Sequence, residues 1–204
     1  MPKNEIENKV VKSSRGVIFF AEDFANYASA DNIRQSLSRL EKEGTLLRLA
    51  HGIYLKPKID DVLGVIYPTI EELAKQIAKR DKARIAPTGA FALYSLGLTT
   101  QIPLKVTYLT DGSQREVKIG NSIIKFKKTV PKTFAIKDEL LQLIVQASKA
   151  IGQKKITEDF LSDIQPKVWQ LKPDILRKQL KYAPVWIQKT IKELSDKDSS
   201  SKRS

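Results

Sequence analysis

The residues with the greatest capacity for chemistry are few and stand far apart in the chain. The 204 residues include one histidine, His51, and no cysteine. A lone histidine cannot build a His- or Cys-rich metal site, and no Gly-x-Ser-x-Gly nucleophile pattern accompanies it. We therefore interpret His51 as a turn residue that contacts nucleic acid, rather than as a general base. No catalytic residue, metal or cofactor is predicted.

One acidic pattern offers an alternative. The stretch TDGSQREVK places Asp111, Glu116 and Lys118 close together, and Glu-x-Lys on a strand is similar to the end of the restriction-nuclease pattern, in which two acids hold Mg²⁺. Glu116 and Lys118 would share a strand face. Asp111, however, stands in a predicted turn only five residues before Glu116. A Mg²⁺ nuclease therefore remains the alternative, and requires the two acids to converge.

A polar stripe on one predicted helix suits the reading of DNA. The helix is expected from about Ala30 to Glu43, between a Ser29 cap and Gly44. Its apolar residues Ile33, Leu37 and Leu40 follow helical spacing and should face the core. A second stripe, which carries amide, hydroxyl and guanidinium groups suited to base edges, consists of Asn32, Gln35, Ser36 and Arg39.

The next segment predicts a basic β-hairpin. The runs TLLRL and GIYLK flank AHG, with Gly52 in the turn. Arg48, His51 and Lys56 of this hairpin are expected at phosphates or the adjacent minor groove, where contacts position a protein without reading sequence. Arg34 completes the predicted DNA-binding set. The alternative is an ordinary solvated helix next to a basic surface hairpin.

Charge distribution indicates a second basic surface. The chain carries a formal net charge of +13, which favours a polyanionic partner and does not define a fold. The stretch KIGNSIIKFKKTVPK contains no acid, and Ile124 and Phe126 should face inward on its strand. Its exposed face is a DNA-backbone contact, a surface for an acidic partner, or an edge guarded against aggregation. The lysines concerned are Lys118, Lys125, Lys127 and Lys128.

The order of elements predicts an α+β protein. Three helices and a hairpin within the first 58 residues have the order of a winged helix-turn-helix, with AEDFANYA as the second helix. We assign 1–58 to that domain and 59–152 to a small α+β domain. Residues 153–195 form a helical C-terminal segment, in which Pro166, Pro173 and Pro184 separate short helices. Residues 196–204 are expected to be a disordered tail.

Targeting signals are not predicted. The N-terminus MPKNEIENKVVK lacks the apolar run of a signal peptide, and no stretch approaches about 18 consecutive apolar residues. The lack of cysteine is compatible with a reducing compartment. We expect a cytoplasmic protein without a membrane partner.

Two stretches resemble a known family. GVIFFAEDFANYASADNIRQSLSRLEKEGTLLRLAHGIYLKP resembles the N-terminal winged helix of AbiEi-type antitoxins, which are transcriptional regulators of bacterial type IV toxin–antitoxin and phage-defence operons. The segments LSRLEKEG and HGIY carry most of that match. RIAPTGAFALYSLGLTTQIPLKVTYLTDGS resembles the second domain of one branch of the same group.

The resemblance implies a repressor and antitoxin without enzymatic activity. The family's winged helix represses its own operon at inverted repeats of double-stranded DNA, as a monomer or weak dimer that binds cooperatively. The second domain counteracts a nucleotidyltransferase-type toxin, commonly without a stable complex. Where the family wing often has arginine, this chain has His51, which is mostly uncharged at neutral pH. A further alternative is a second domain that binds a ligand or protein, which requires an apolar pocket within 60–150.

Overall fold

The chain forms an α+β fold. The structure is a computed structural model that describes the backbone of residues 5–201 and the side chains of residues 5–196. Contacts group the chain into two compact units, and each is described by itself. Unit 1 comprises Met1–Ile77 and Val117–Ser122, and unit 2 comprises Ala78–Glu116 and Ile123–Ser204.

Unit 1 places helices beside a small antiparallel sheet. The helices are α1 (Glu5–Lys12), a 3-10 helix (Ala21–Phe24) and α2 (Ala30–Lys42). The strands are β1 (Ile18–Phe20), β2 (Leu47–Ala50) and β3 (Ile53–Leu55), in the sheet order β1-β3-β2. Each helix buries an apolar stripe into one core, which includes Ile6, Val10, Phe24, Ile33, Leu37, Leu40 and Leu46.

Helix α2 begins and ends at the predicted signals. The hydroxyl of Ser29 accepts a hydrogen bond from the backbone N–H of Asn32 at 3.4 Å, which satisfies one donor of the first turn. At the other end the N–H of Gly44 bonds the carbonyl of Glu41, and Gly44 has a φ of 72°. That left-handed conformation favours glycine and stops the helix. The predicted Ala30–Glu43 helix is confirmed to within its cap.

The predicted hairpin after α2 is also confirmed. Strands β2 and β3 pair antiparallel, and Gly52 turns the chain with a φ of 70°. The register shifts between Arg48 and Ala50. Strand β3 is the central strand of the sheet and is buried throughout its length.

The segment AEDFANYA is not the helix that the pattern predicts. Only Ala21–Phe24 are helical, in a single 3-10 turn. The Asp23 carboxylate accepts a hydrogen bond from the Phe20 N–H at 2.8 Å, which fixes this turn locally. Few residues remain before the Ser29 cap of α2, and the cost of nucleating a helix is not recovered over so short a length.

A second hairpin follows that the sequence analysis did not identify. Strand β4 (Lys58–Asp60) pairs antiparallel with β5 (Gly64–Ile66) as a separate two-stranded sheet. The Asp60 carboxylate closes its turn by accepting hydrogen bonds from the N–H groups of Val62 and Leu63, both at 2.9 Å. Those two bonds lower the pKa of Asp60. Helix α3 (Ile70–Arg80) comes next, and the division between the units falls within it.

Unit 2 combines a mixed sheet with helices. The sheet order is β6-β7-β9-β8, in which β6 is antiparallel to β7, and β7 is parallel to β9. The strands are β6 (Ile85–Thr88), β7 (Lys105–Thr110), β8 (Arg115–Ile119) and β9 (Ser122–Lys128). The division between the units falls within β8 and after the first residue of β9. The helices are α4 (Ala90–Ser95), α5 (Glu139–Ile151), α6 (Glu158–Trp169), α7 (Pro173–Gln179) and α8 (Val185–Ser201).

The C-terminal helices differ from their predicted boundaries at one proline. Pro173 begins α7, and Pro184 directly precedes α8, as breakers should. Pro166 instead lies inside α6, on its exposed side. Proline removes one helical hydrogen bond, but Phe160, Ile164 and Val168 are buried in the core of unit 2. Burial of that stripe keeps the helix continuous through Pro166.

The predicted domain limits stay predictions. The boundary at residue 58 lies within unit 1, and residues 153–196 belong to unit 2. Of the predicted disordered tail, 196–204, residues 196–201 continue helix α8, and residues 202–204 lie outside the described residues. Within the described part of the chain, no helix is long and apolar enough to cross a membrane.

Candidate nucleic-acid interface

The outward face of α2 is set by its buried face. Ile33, Leu37 and Leu40 are 6%, 0% and 2% exposed. At about 100° per residue, the direction opposite to them is occupied by one helical row. That row has spacings of four, three and four, and consists of Asp31, Gln35, Ser38 and Lys42.

The polar stripe that was predicted to contact bases is therefore not the outward row. At 100° per residue, it is rotated by about 80° around the axis of α2 from that row. Gln35 and Asn32 are exposed as expected. Ser36 is not, since it is only 7% exposed. Its hydroxyl cannot reach a base edge from that position, and its assignment to the DNA-binding set was wrong. Ser36 lies between Ile33 and Leu40 on the helix and follows them toward the core.

Lys56 also has a different role from the predicted one. Its Nζ donates to the carbonyl oxygens of Val10, Val11 and Ser13 at 2.9, 2.8 and 2.6 Å. Two of these carbonyls belong to the last turn of α1, where a cation satisfies acceptors that the helix leaves open. An ammonium with three short internal hydrogen bonds is a structural cap and is not presented to a phosphate.

The two arginines of α2 carry carboxylate partners. Arg34 lies 3.1 Å from Asp31, and both side chains are more than three-quarters exposed. Arg39 lies 3.1 Å from Glu7 of α1 and 3.8 Å from Glu43. Exposed pairs of this kind are worth little, so the Arg34 pair is easily exchanged for a phosphate or base. To contact DNA, Arg39 would first have to break its ion pairs with Glu7 and Glu43.

A groove runs between α2, the 3-10 turn and the β2–β3 hairpin. Its volume is about 960 Å³. Small side chains form the wall near the 3-10 turn, among them Ala21, Ala25 and Ala28. Polar and charged groups of both signs line the other sides, namely Glu22, Asp31, Arg34, Gln35, Ser38, Arg39, Glu41, Lys42, Arg48, His51 and Tyr54. This groove joins the outward face of α2 to the hairpin, and we refer to it as the α2 groove.

Arg48 and His51 meet at the hairpin side of the groove. Arg48 Nη2 lies 3.3 Å from His51 Nδ1, and both side chains are exposed. An arginine can donate to a histidine ring only at a nitrogen that carries no proton, so this contact depends on the imidazole tautomer. Tyr54 is buried beneath them, and that burial raises the pKa of its phenol, with Arg48 acting in the opposite direction.

Sequence reasoning missed two groove residues, Ser38 and Lys42. Both line the α2 groove, and Lys42 is exposed. The available signal was the apolar stripe, since the row diametrically opposite to it runs through both positions. A stripe chosen by residue type, from amides and arginines, lies nearer to α1, since its Arg39 contacts Glu7 of that helix.

The second basic surface is partly engaged. Lys125 Nζ lies 2.8 Å from Glu116 Oε1, and Lys105 Nζ lies 3.4 Å from the same oxygen. Both lysines lower the pKa of Glu116, and the hydrogen bond from Lys125 has the largest effect. Ile124 and Phe126 are buried as their alternation predicts. Lys118, Lys127 and Lys128 are exposed.

The acids of the nuclease alternative are held by cations. Asp111 accepts from the backbone N–H of Arg84 at 2.7 Å and from its Nε at 2.8 Å. Burial raises the pKa of Asp111, but the bonds from Arg84 outweigh it and hold the pKa below its usual value. Among the residues with described side chains, no three His, Asp or Glu come together as a metal site would require.

A cavity of unit 2 lies outside the region named by the ligand-binding alternative. It measures about 660 Å³ and is formed by residues of α6, α7, the 3-10 turn Leu180–Tyr182, and α8. Its lining mixes Trp169 and Leu176 with Arg177, Lys181 and Lys192. The alternative required an apolar pocket within 60–150, and this cavity begins at Val168.

Comparison with known proteins places the chain in one family. No curated protein matches it. Among solved structures, the Rv2827c protein from Mycobacterium tuberculosis is similar with a TM-score of 0.48 and 14% identity, over 95% of this chain and 75% of that one. The model of a protein family of unknown function matches residues 5–176. That match covers most of the chain, which therefore belongs to the family of unknown function DUF6088.

Proposed function

We propose that this protein is a DNA-binding transcriptional regulator that represses its own operon and acts as an antitoxin. The observation that carries the DNA-binding part is the α2 groove. The exposed face of α2 supplies Arg34, Gln35 and Lys42, and the β2–β3 hairpin supplies the exposed Arg48, to a single concave surface. Cationic and amide groups on a projecting helix are what duplex recognition uses.

The arrangement of unit 1 supports a winged helix-turn-helix. Helices α1 and α2 and the intervening 3-10 turn pack on the β1-β3-β2 sheet. In such a domain α2 is the recognition helix, and the β2–β3 hairpin is the wing. The 3-10 turn Ala21–Phe24 takes the place of the second helix.

Position along α2 divides the roles of the groove residues. In a helix-turn-helix the N-terminal part of the recognition helix reaches the bases. Arg34 and Gln35 lie in the first half of α2, and they are suited to guanine and adenine respectively. Lys42 is the last residue of the helix, and we assign it to a phosphate together with Arg48.

The antitoxin part rests on the resemblance to AbiEi-type antitoxins alone. It specifies a protein without enzymatic activity, inverted repeats in its own promoter as the DNA target, and a nucleotidyltransferase-type toxin as the functional partner. The cation-bound state of Asp111 and Glu116 is consistent with a second domain that does not cut DNA.

Titration with labelled upstream DNA tests the regulator. The matched variants are Arg34→Ala and Arg177→Ala, because both arginines are 76% exposed and pair with an aspartate three residues earlier. We expect Arg34→Ala to cost about 1–3 kcal/mol of specific binding, and Arg177→Ala to bind as the wild type does. Equal binding of scrambled DNA by all three proteins would refute sequence-specific regulation.

Co-expression tests the antitoxin. The gene next to this one would be induced in a host with and without the present chain, and growth would be followed. We expect growth arrest by the toxin alone and recovery with the chain present. Recovery should persist with Arg34→Ala when both genes are driven from foreign promoters, since neutralisation is assigned to the second domain. Arrest that the chain does not relieve would contradict the assignment.

A further inference from the structure

The short β4–β5 hairpin exposes three large apolar side chains to solvent. Ile59, Val62 and Leu63 are 58%, 89% and 75% exposed. Within the part of the chain that the structure describes, β4 and β5 pair only with each other. Each strand therefore keeps one edge whose backbone groups face outward. A two-stranded sheet on its own is marginally stable in water, which makes further pairing favourable.

We propose that β4 pairs antiparallel with β4 of a second copy of this chain, centred on Ile59. The two hairpins then form a four-stranded sheet in the order β5-β4-β4-β5 about a twofold axis. Such an interface is isologous, because the same edge serves both copies. The proposal does not depend on DNA binding.

Charge is self-complementary in this register. Centring on Ile59 sets Lys58 of one copy opposite Asp60 of the other, twice in the dimer. Lysine on an edge strand normally discourages pairing, but here each lysine meets a carboxylate. The Val62 and Leu63 N–H groups lower the pKa of Asp60, so it is ionised at neutral pH. Directly opposite charges of unlike sign favour a cross-strand pair.

The other face of the sheet becomes an apolar row. Ile59 is the register partner of Val65 within the hairpin. Pairing through β4 adds the same two residues from the second copy, so that four β-branched side chains lie side by side. β-branched neighbours of this kind stabilise a sheet. The exposed Val62 and Leu63 extend beyond the paired residues toward the body of the second copy.

The pairing is expected to be weak in solution. Each strand has three residues, which is well below the extent of a standard stable interface. If two copies bind neighbouring half-sites on DNA, their effective local concentration rises, and this favours the pairing of their β4 strands. A cross-linking test captures such a weak complex directly.

Single cysteines provide the test, because the natural chain has none. In the proposed register the two copies of residue 59 are directly opposed, within the Cα separation that a disulfide spans. The control is Val62→Cys, since Val62 is more exposed than Ile59, yet its two copies would lie roughly 20 Å apart along the strands. Both purified full-length proteins would be oxidised mildly under identical conditions.

We expect Ile59→Cys to form disulfide dimers about tenfold or more faster than Val62→Cys. Adding Lys58→Asp should slow that reaction, because it sets acid against acid, whereas Lys58→Arg should preserve it. Cross-linking of Val62→Cys as fast as Ile59→Cys would indicate random collision and overturn the proposal. So would indifference to Lys58→Asp. A purified Ile59→Cys protein that stays monomeric under oxidation would also overturn the proposal. The free edge of β4 would then be assigned to an extended segment of another protein.

Discussion

The α2 groove and the β8–β9 strands are both rich in basic residues, but they use them differently. At the groove, Arg34 forms an ion pair with Asp31 in which both side chains are largely exposed. Arg48 contacts His51 rather than a carboxylate. On the strands, Glu116 binds Lys125 and Lys105 together. In the groove, Arg34 and Arg48 are therefore loosely held, and Arg39 is the arginine that contacts two acids. On the strands, Glu116 neutralises part of the charge of Lys125 and Lys105, and Lys118, Lys127 and Lys128 stay exposed.

The difference teaches that a cation's partners decide its function more than its position in the sequence. Lys56 and Lys42 would be equivalent by residue type and by proximity to the predicted interface. Lys56 is held by three carbonyls at the end of α1, whereas Lys42 lines the groove. The first stabilises the fold, and only the second is available to a phosphate.

The largest expected effect concerns Lys56. Replacing it by methionine leaves the carbonyls of Val10, Val11 and Ser13 without their ammonium donor. Hydrogen bonds to a charged group are worth about 1.5–3 kcal/mol, and we expect the free energy of unfolding to fall by that order. Urea denaturation followed by circular dichroism measures it.

Lys58→Met is the matched control for that experiment. Lys58 is exposed and lies two residues away, so its replacement at low protein concentration should change stability by less than about 0.5 kcal/mol. Equal stability of the two variants would show that Lys56 is no cap, and would return it to the candidates for DNA contact.

The next effect compares one lysine from each basic region. We expect Lys42→Ala to reduce the slope of log affinity against log salt by about 1, as loss of one phosphate contact does. Lys127→Ala, on β9, should leave that slope unchanged. Fluorescence anisotropy over a salt series measures both. A reduced slope for Lys127→Ala would extend the DNA surface to the strands and remove the contrast between the regions.

Much of the fold was accessible from the sequence because its signals are local. The Ser29 cap, Gly44 and the Ile33, Leu37 and Leu40 spacing specify α2 within a residue. The β4–β5 hairpin was not accessible, since three-residue strands are too short for a period-two pattern. Its turn depends on the Asp60 carboxylate, which bonds the two backbone N–H groups that follow.

The candidate site was accessible only in part, for a geometric reason. Residue type selected Gln35 and Arg34 correctly as exposed polar groups on α2. It could not show that Ser36 turns toward the core, or that Lys56 reaches carbonyl groups of α1 that are 45 and 46 residues away in sequence. Contacts across that separation depend on packing, which no periodicity within α2 encodes.

The smallest expected effect concerns the Arg84–Asp111 ion pair at acid pH. The pKa of Asp111 is lowered in the folded state, so the Arg84–Asp111 pair stabilises the fold above the unfolded pKa, about 3.9. That contribution is lost as pH falls through the lower, folded pKa. Because Arg84 is 58% exposed, we expect Asp111→Asn to cost only about 0.2–1 kcal/mol at neutral pH. The difference between the denaturation midpoints of the variant and the wild type should stay constant from pH 7 to about pH 5, and shrink as the pH falls below about 4 toward about 2. A difference that stays constant over the whole range would mean that the pKa of Asp111 is the same in the folded and unfolded states, and that its pair with Arg84 adds no charge-dependent stability.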